Sequence, residues 1–233
     1  MSDSKLTLIP VTEEDNWENL VNSSPQGSLF CERFYLTAAG CKHHSYFIKQ
    51  GEIKAGIVVV VSEDGQNCKI DDLVIYGGIL FDLNPKRQKV KLRYDEFQIA
   101  EFVIEQISQK YESIEFQLSP QFVDMRPFQW HRYHDEEKYK FVLSLRYTSL
   151  VDISSLQDFK GEEDNSPCFE NMETVRRYSV RQARKKGGRI VKADSGDKLV
   201  DFYCSLMKRQ SESQASIKLS NMKNIIKKFG HAL

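Results

Sequence analysis

Long hydrophobic runs are missing from this chain. Its longest aliphatic stretch covers only residues 57–61, far short of the roughly 20 residues a membrane helix needs, and reads instead as a buried strand. The N-terminus, Met1-Ser2-Asp3-Ser4-Lys5, lacks the basic and then apolar pattern of a secretion signal. Cys31, Cys41, Cys68, Cys168 and Cys204 stand without CxxC spacing, which argues against a structural zinc site and against a disulfide framework. Reduced thiols in a cytoplasmic protein are the expectation. Net charge is missing too. The 33 lysines and arginines balance 33 aspartates and glutamates, so general attraction to nucleic acid or membrane is not a property of the whole molecule. Walker loops, dinucleotide-binding glycine fingerprints and the G-x-S-x-G nucleophile elbow are absent, and no internal repeat stands out. What remains is 40% apolar and 28% charged over 233 residues, the balance of a globular protein with one large domain or two small ones.

Periodicity and turn chemistry set the expected elements. Thr12-Glu13-Glu14-Asp15 predicts a capped, acidic helix start running through Trp17 and Leu20. After the turn Ser23-Ser24-Pro25-Gln26-Gly27, a helix is expected from Ser28 to Gly40. Strands 46–49 and 53–62 flank the tight-turn signal Gln50-Gly51-Glu52. Asp64-Gly65 turns the chain toward a strand over 68–76, and Gly77-Gly78 interrupts it before 79–81. Residues 94–110 read as the clearest helix, with Phe97, Ala100, Ile104 and Ile107 at helical spacing. A strand over 114–118 ends at Ser119-Pro120, and a longer one is expected over 141–153. Hairpin-connected strands disfavour a doubly wound nucleotide fold, whose parallel sheet needs a helix after nearly every strand. Beyond a polar stretch, 154–166, a basic helix, a strand over 189–193 and helices over 197–210 and 219–229 complete the pattern.

The densest chemistry lies in the basic helix, Arg176-Arg177-Tyr178-Ser179-Val180-Arg181-Gln182-Ala183-Arg184-Lys185-Lys186-Gly187-Gly188. At about 100° per residue, Arg177, Arg181 and Arg184 share one face, and no carboxylate intervenes between Glu173 and Asp194. A solvated face is one reading. A phosphate or carboxylate site is the other, favoured by the planar arginine fork and by the lack of i, i+4 glutamates. Residues 184–189 approach the R-x-x-G-x-G/A loop of acyl-CoA N-acyltransferases, but these glycines end a helix, where the dipole repels an anion. Gly187 reads instead as a helix cap. Asp124-Met125-Arg126-Pro127-Phe128-Gln129-Trp130-His131-Arg132-Tyr133 combines a candidate ion pair with three aromatics, either a loop anchor or a cleft wall. His131 and His134 have i, i+3 spacing but no further ligand cluster, and His43-His44 lacks a nearby nucleophile.

Taken in order, these motifs resemble the FemAB/FemX-like branch of the GNAT acyltransferase superfamily. Trp17 with residues 21–30 is similar to the family's opening segment, and Ile75-Tyr76-Gly77-Gly78-Ile79-Leu80-Phe81-Asp82 to its glycine-pair strand and turn. Residues 124–130 followed by Tyr147-Thr148-Ser149-Leu150-Val151-Asp152-Ile153, and then the 176–187 helix, resemble its later blocks. The resemblance implies an α+β fold: a GNAT-like domain with a mixed, largely antiparallel sheet over 1–153, a polar linker over 154–166, and a partial, helix-rich second GNAT-like segment over 167–233. It implies an N-acyltransferase moving an acyl or aminoacyl group to an amine on an envelope sugar, lipid or peptide precursor. Acyl-CoA or aminoacyl-tRNA would be the donor, with no tightly bound cofactor and no metal.

By the same resemblance, Arg177 and Arg181 would hold the acceptor's phosphate or carboxylate, and Tyr178, Asp82, Arg126 and Trp130 would line its cleft. The family's second domain continues into strands beyond the point where this sequence stops, at Gly230-His231-Ala232-Leu233. A complementary chain supplying those strands is therefore an expected partner. The runner-up is a non-catalytic binding module, or half of a split enzyme, that recognises an anionic ligand through the arginine helix. RNA binding by that helix is a third reading, marked by a steep salt dependence. Arg177→Ala combined with Arg181→Ala should leave stability within roughly 0.5 kcal/mol, as surface changes do, and abolish binding of the anionic ligand. Chemical denaturation and a binding titration on the same variant check both halves.

Overall fold

Five consecutive β-branched residues, 57–61, can bury both faces of a strand only at the centre of a sheet. The structure, a computed structural model, places them there. It describes residues 5–84, 86–137, 139–156, 166–190, 196–210 and 216–229. Strands β1 (Thr7–Pro10), β2 (His43–Gln50), β3 (Glu52–Val60) and β5 (Gly78–Phe81) form an antiparallel sheet in the order β1-β2-β3-β5. A parallel pair, β4 (Asn67–Cys68) and β6 (Ser113–Ile114), forms a second, two-stranded sheet. The architecture is mixed α+β with an antiparallel sheet and several helices. The chain divides into two compact units, Met1–Ser144 with Ser195–Leu233, and Leu145–Asp194.

In the larger unit, β3 separates two apolar clusters. Ala55, Ile57, Val59 and Val61 pack with Ile99, Ala100, Val103, Ile104 and Ile107 of helix α3 (Lys89–Lys110). Val58 and Val60 face Trp17, Leu20 and Val21 of helix α1 (Trp17–Ser23) and Leu36 of helix α2 (Arg33–Ala38). Gly56 lies between them without a side chain. A Cβ there would meet Leu20 at 2.5 Å and Trp17 at 2.6 Å, so the indole occupies the space a larger residue would need. Its Nε1 donates to the Cys31 carbonyl at 2.8 Å. Helix α8 (Ser216–Phe229) covers α2, with Phe229 against Phe34 and Tyr35 at 5.1 and 5.5 Å between ring centroids. Helix α7 (Asp197–Arg209) joins α8 through an ion pair of Lys223 and Asp197 at 2.7 Å.

The Gln50-Gly51-Glu52 hairpin forms as expected, pairing Gln50 with Glu52. The Gly77-Gly78 interruption also appears, and its reason is steric. Gly78 has φ +84°, and a Cβ on it would sit 2.4 Å from Leu118. Here the chain exchanges partners: Gly78 pairs with Val58, while Gly77 bridges Leu118 in parallel and donates to Gln117 O at 2.8 Å.

Other elements differ from expectation. The first helix starts at Trp17 because Asp15 turns back to accept from Thr12 N and Oγ1, leaving Asn16 as the cap. The helix expected from Ser28 breaks into a 3-10 turn, Leu29–Cys31, and α2, because Trp17 takes the Cys31 carbonyl. The strand over 68–76 shrinks to β4, since Asp71 Oδ1 accepts from Leu73 N and nucleates a turn. The strand over 114–118 reduces to β6 and the Leu118 bridge. Helix α3 begins five residues earlier than its predicted start. Residues 141–153 form neither helix nor strand. Arg189 and Ile190 are not in a strand, and the rest of that predicted strand lies outside the described residues, as do 157–165 of the linker and the chain end at 230–233.

Gly56→Ala should destabilise the larger unit by about 1–3 kcal/mol, because the new methyl overpacks the indole in an interior with no slack. The urea midpoint of the substituted protein measures it.

Candidate functional site

The end of β5 is pinned from two sides. Phe81 N donates to the buried Gln26 Oε1 at 3.2 Å, and Asp82 N donates to Lys54 O at 2.8 Å. Gln26 Nε2 reaches on to Gln121 O at 3.2 Å, so one carboxamide ties three segments together where β5 stops. Just beyond, Asn84 Oδ1 accepts from Lys86 N at 2.9 Å, an Asx turn that leads the chain toward α3. The result is an open cleft of about 340 Å³ lined by Glu52, Lys54, Asp82, Leu83, Asn84, Lys86 and Arg87.

Six of the seven residues lining the cleft are polar or charged, and they carry both signs of charge. Lys54 pairs with Glu52, and that hydrogen bond holds the Glu52 carboxyl below its ordinary range. Arg87 reaches Asp95 on α3 at 2.7 Å. Two carboxylates and three cations therefore face one volume. Such a surface suits a ligand bearing an ammonium beside a phosphate or carboxylate. Among the described residues, no cysteine, histidine or hydroxyl side chain lines it.

Of the six residues singled out from the sequence, Asp82 lines this cleft. Arg126 and Trp130, on helix α4 (Arg126–Trp130), do not. Arg126 Nε donates to Asp124 at 2.8 Å, and its guanidinium lies over the Phe97 and Trp130 rings at 5.2 and 5.6 Å. That contact holds the Asp124 carboxyl below its ordinary range. Here the arginine clamps α4 to α3. Arg177, Tyr178 and Arg181 belong to the other unit, on helix α6 (Thr174–Lys185), which buries no residue. Arg177 donates to Glu170 O at 3.2 Å, and Arg181 lies over Phe169 at 5.2 Å, bracing α6 against the short helix α5 (Pro167–Glu170). Exposed contacts of this kind contribute about 0.5–1 kcal/mol, so removing both arginines carries a small stability cost of its own. Gly187, at φ +80°, ends the helix as expected.

Lys54, Lys86 and Arg87 were not evident as site residues. A signal existed: Lys86, Arg87, Lys89, Lys91 and Arg93 crowd a short stretch after Asp82, as dense in cations as the α6 stripe. Comparison with known protein families, curated proteins and solved structures finds no match. The chemistry of the cleft therefore carries the functional reading. Among the described residues no group of three or more His, Cys, Asp or Glu side chains could hold a metal, and no helix is long and apolar enough to cross a membrane.

His44 and His131 pack against aromatic rings. His44 Nδ1 meets Tyr111 OH at 2.8 Å, and Tyr111 OH meets Tyr46 OH at 3.1 Å; burial pushes the Tyr111 hydroxyl up and the His44 imidazole down. His131 is nearly buried against Phe141, with Nε2 finding no hydrogen-bond partner among the described residues, and burial with Arg132 nearby lowers its pKa. A histidine held neutral in the fold but protonated when unfolded stabilises fully above about pH 6.5. That contribution fades as pH falls through 6.5 toward the depressed native value. His131→Phe should therefore lose less stability than the parent between pH 7.5 and 5.5, with His44 supplying part of what remains. Denaturation midpoints across that range read the difference.

Proposed function

We propose that the chain binds an amine-bearing anionic acceptor in the Asp82 cleft and presents that amine for N-acyl transfer. The observation that carries this reading is the joint lining of one cleft by Asp82 and Glu52 on one hand and Lys54, Lys86 and Arg87 on the other. The carboxylates suit an ammonium, and the cations suit the phosphate or carboxylate of a sugar, lipid or peptide precursor. The resemblance to FemAB-type acyltransferases supplies the reaction class.

In this reading Asp82 accepts a proton from the bound ammonium. The freed amine attacks the carbonyl carbon of a thioester or ester, as in acyl-CoA or aminoacyl-tRNA. The C–N bond forms, the C–S or C–O bond breaks, the nitrogen gives its second proton to the departing thiolate or alkoxide, and Asp82 releases the first to solvent. The protein contributes mainly position and charge. Arg177 and Arg181 are proposed, within their own unit, to bind an anionic group, which the carboxylate-poor stripe of α6 supports.

A second reading, a binding module or half of a split enzyme, is favoured by one observation: residues 145–153 carry a strand's alternation but form no strand. The expected result for Asp82→Asn is a loss of about 100-fold or more in kcat/KM, with the denaturation midpoint nearly unchanged. The assay offers acetyl-CoA with a panel of amino sugar phosphates. Retained acceptor binding without turnover in the parent protein would select the second reading, and absence of both would remove the cleft as a site.

A further inference from the structure

Near its start, helix α3 leaves two apolar side chains in solvent: Val90 is 83% and Tyr94 64% exposed. With Phe97 they follow the i, i+4, i+7 spacing of one helix face. Phe97 meets Trp130 of α4 at 5.7 Å between ring centroids, so the face continues onto α4, where Trp130 is 54% exposed. All four residues belong to the larger unit. Lysines border this strip. At about 100° per residue, Lys89 lies on one side of it and Lys91 on the other, and Lys86 stands just before the helix. The three lysines are exposed and make no ion pair among the described residues. The arginines nearby are already matched: Arg87 by Asp95, Arg93 by Glu96 and Arg126 by Asp124. Glu101, a turn beyond Phe97 on the same face, closes the strip with a negative charge.

We infer that this strip is a docking face for an anionic lipid bilayer. Val90, Tyr94 and Trp130 enter the headgroup layer, while Lys86, Lys89 and Lys91 meet lipid phosphates. Tryptophan and tyrosine settle at a membrane interface because each joins an apolar ring to a polar tip. Lysine keeps its charge at the surface while its methylenes lie along apolar neighbours. The make-up of the strip favours lipid over RNA. Val90, its most exposed member, gives a base nothing to stack on, and Arg126 already covers the Trp130 ring on one side, 5.6 Å from its centroid. Charge complementarity selects an anionic surface over a neutral one. The inference does not depend on acyl transfer in the Asp82 cleft, although Lys86 lines that cleft as well.

Co-sedimentation of the full chain with sucrose-loaded vesicles reads the binding. Vesicles of phosphatidylcholine and phosphatidylglycerol in equal parts should retain the protein, less so as salt rises, and vesicles of phosphatidylcholine alone should not. The chain has two tryptophans and Trp17 is fully buried, so a blue shift of emission on binding reports Trp130. Lys89→Gln combined with Lys91→Gln should weaken binding about tenfold or more. Val90→Asp should do the same and suppress the blue shift. These positions are exposed, and circular dichroism verifies that the fold persists. Lys227→Gln combined with Lys228→Gln removes the same charge from α8 and should leave binding unchanged. A protein that ignores the anionic vesicles, or binds neutral ones equally well, overturns the inference. So does an equal loss of affinity from the α8 pair and the α3 pair. Tighter binding to a single-stranded RNA than to the anionic vesicles, lost in the same α3 variants, overturns it too.

Discussion

One absent side chain holds the larger unit in its present form. Trp17 lies over Gly56 in the middle of β3, in space that any other residue there would fill. Its position sets two further features. The indole N–H takes the Cys31 carbonyl, which divides the following helix into a 3-10 turn and α2. The placement of α2 in turn gives α8 its seat, through the tilted packing of Phe229 against Phe34 and Tyr35. A local requirement for glycine in a strand, where glycine ordinarily weakens packing, thus determines how the C-terminal helix is attached.

The cleft depends on the other end of the same sheet. A strand end beside an open cleft is fixed here without a ladder partner on its open side, and a buried glutamine takes that place. Gln26 accepts the Phe81 amide and passes its own amide to Gln121. The Asp82 carboxylate then follows a backbone whose position is set by Lys54 O, the carbonyl of a residue that itself lines the cleft. Backbone and charge are organised by the same few residues.

Local signals in the sequence were readable where they involve backbone chemistry that needs no distant partner. The Gly51 hairpin, the Gly77-Gly78 exchange of partners, the α3 stripe and the basic helix belong to this group. What escaped required knowing who meets whom. The break after Cys31 is caused by an indole fourteen residues away, and the late start of α1 was hidden because Asp15 satisfies Thr12 instead of capping a helix. Residues 141–153 alternate correctly for a strand, yet alternation supplies no hydrogen-bonding neighbour. Of the cleft, Asp82 was legible through its motif. Lys54 was not, because strand pairing alone brings it to the end of β5. Arg126, a conspicuous arginine beside aromatics, is held by Asp124 and by the rings it covers, the ion pair its sequence context also offered.

Helix α6 has a consequence of a different kind. None of its side chains is buried, so no core would register a change of size or polarity along it. Most of a protein's surface drifts under just such freedom, and a stripe of arginines has no reason to survive that drift on packing grounds. Outside the short bracing contacts to Glu170 and Phe169, variation along this helix among descendants of one ancestor would report directly on what its charges are used for.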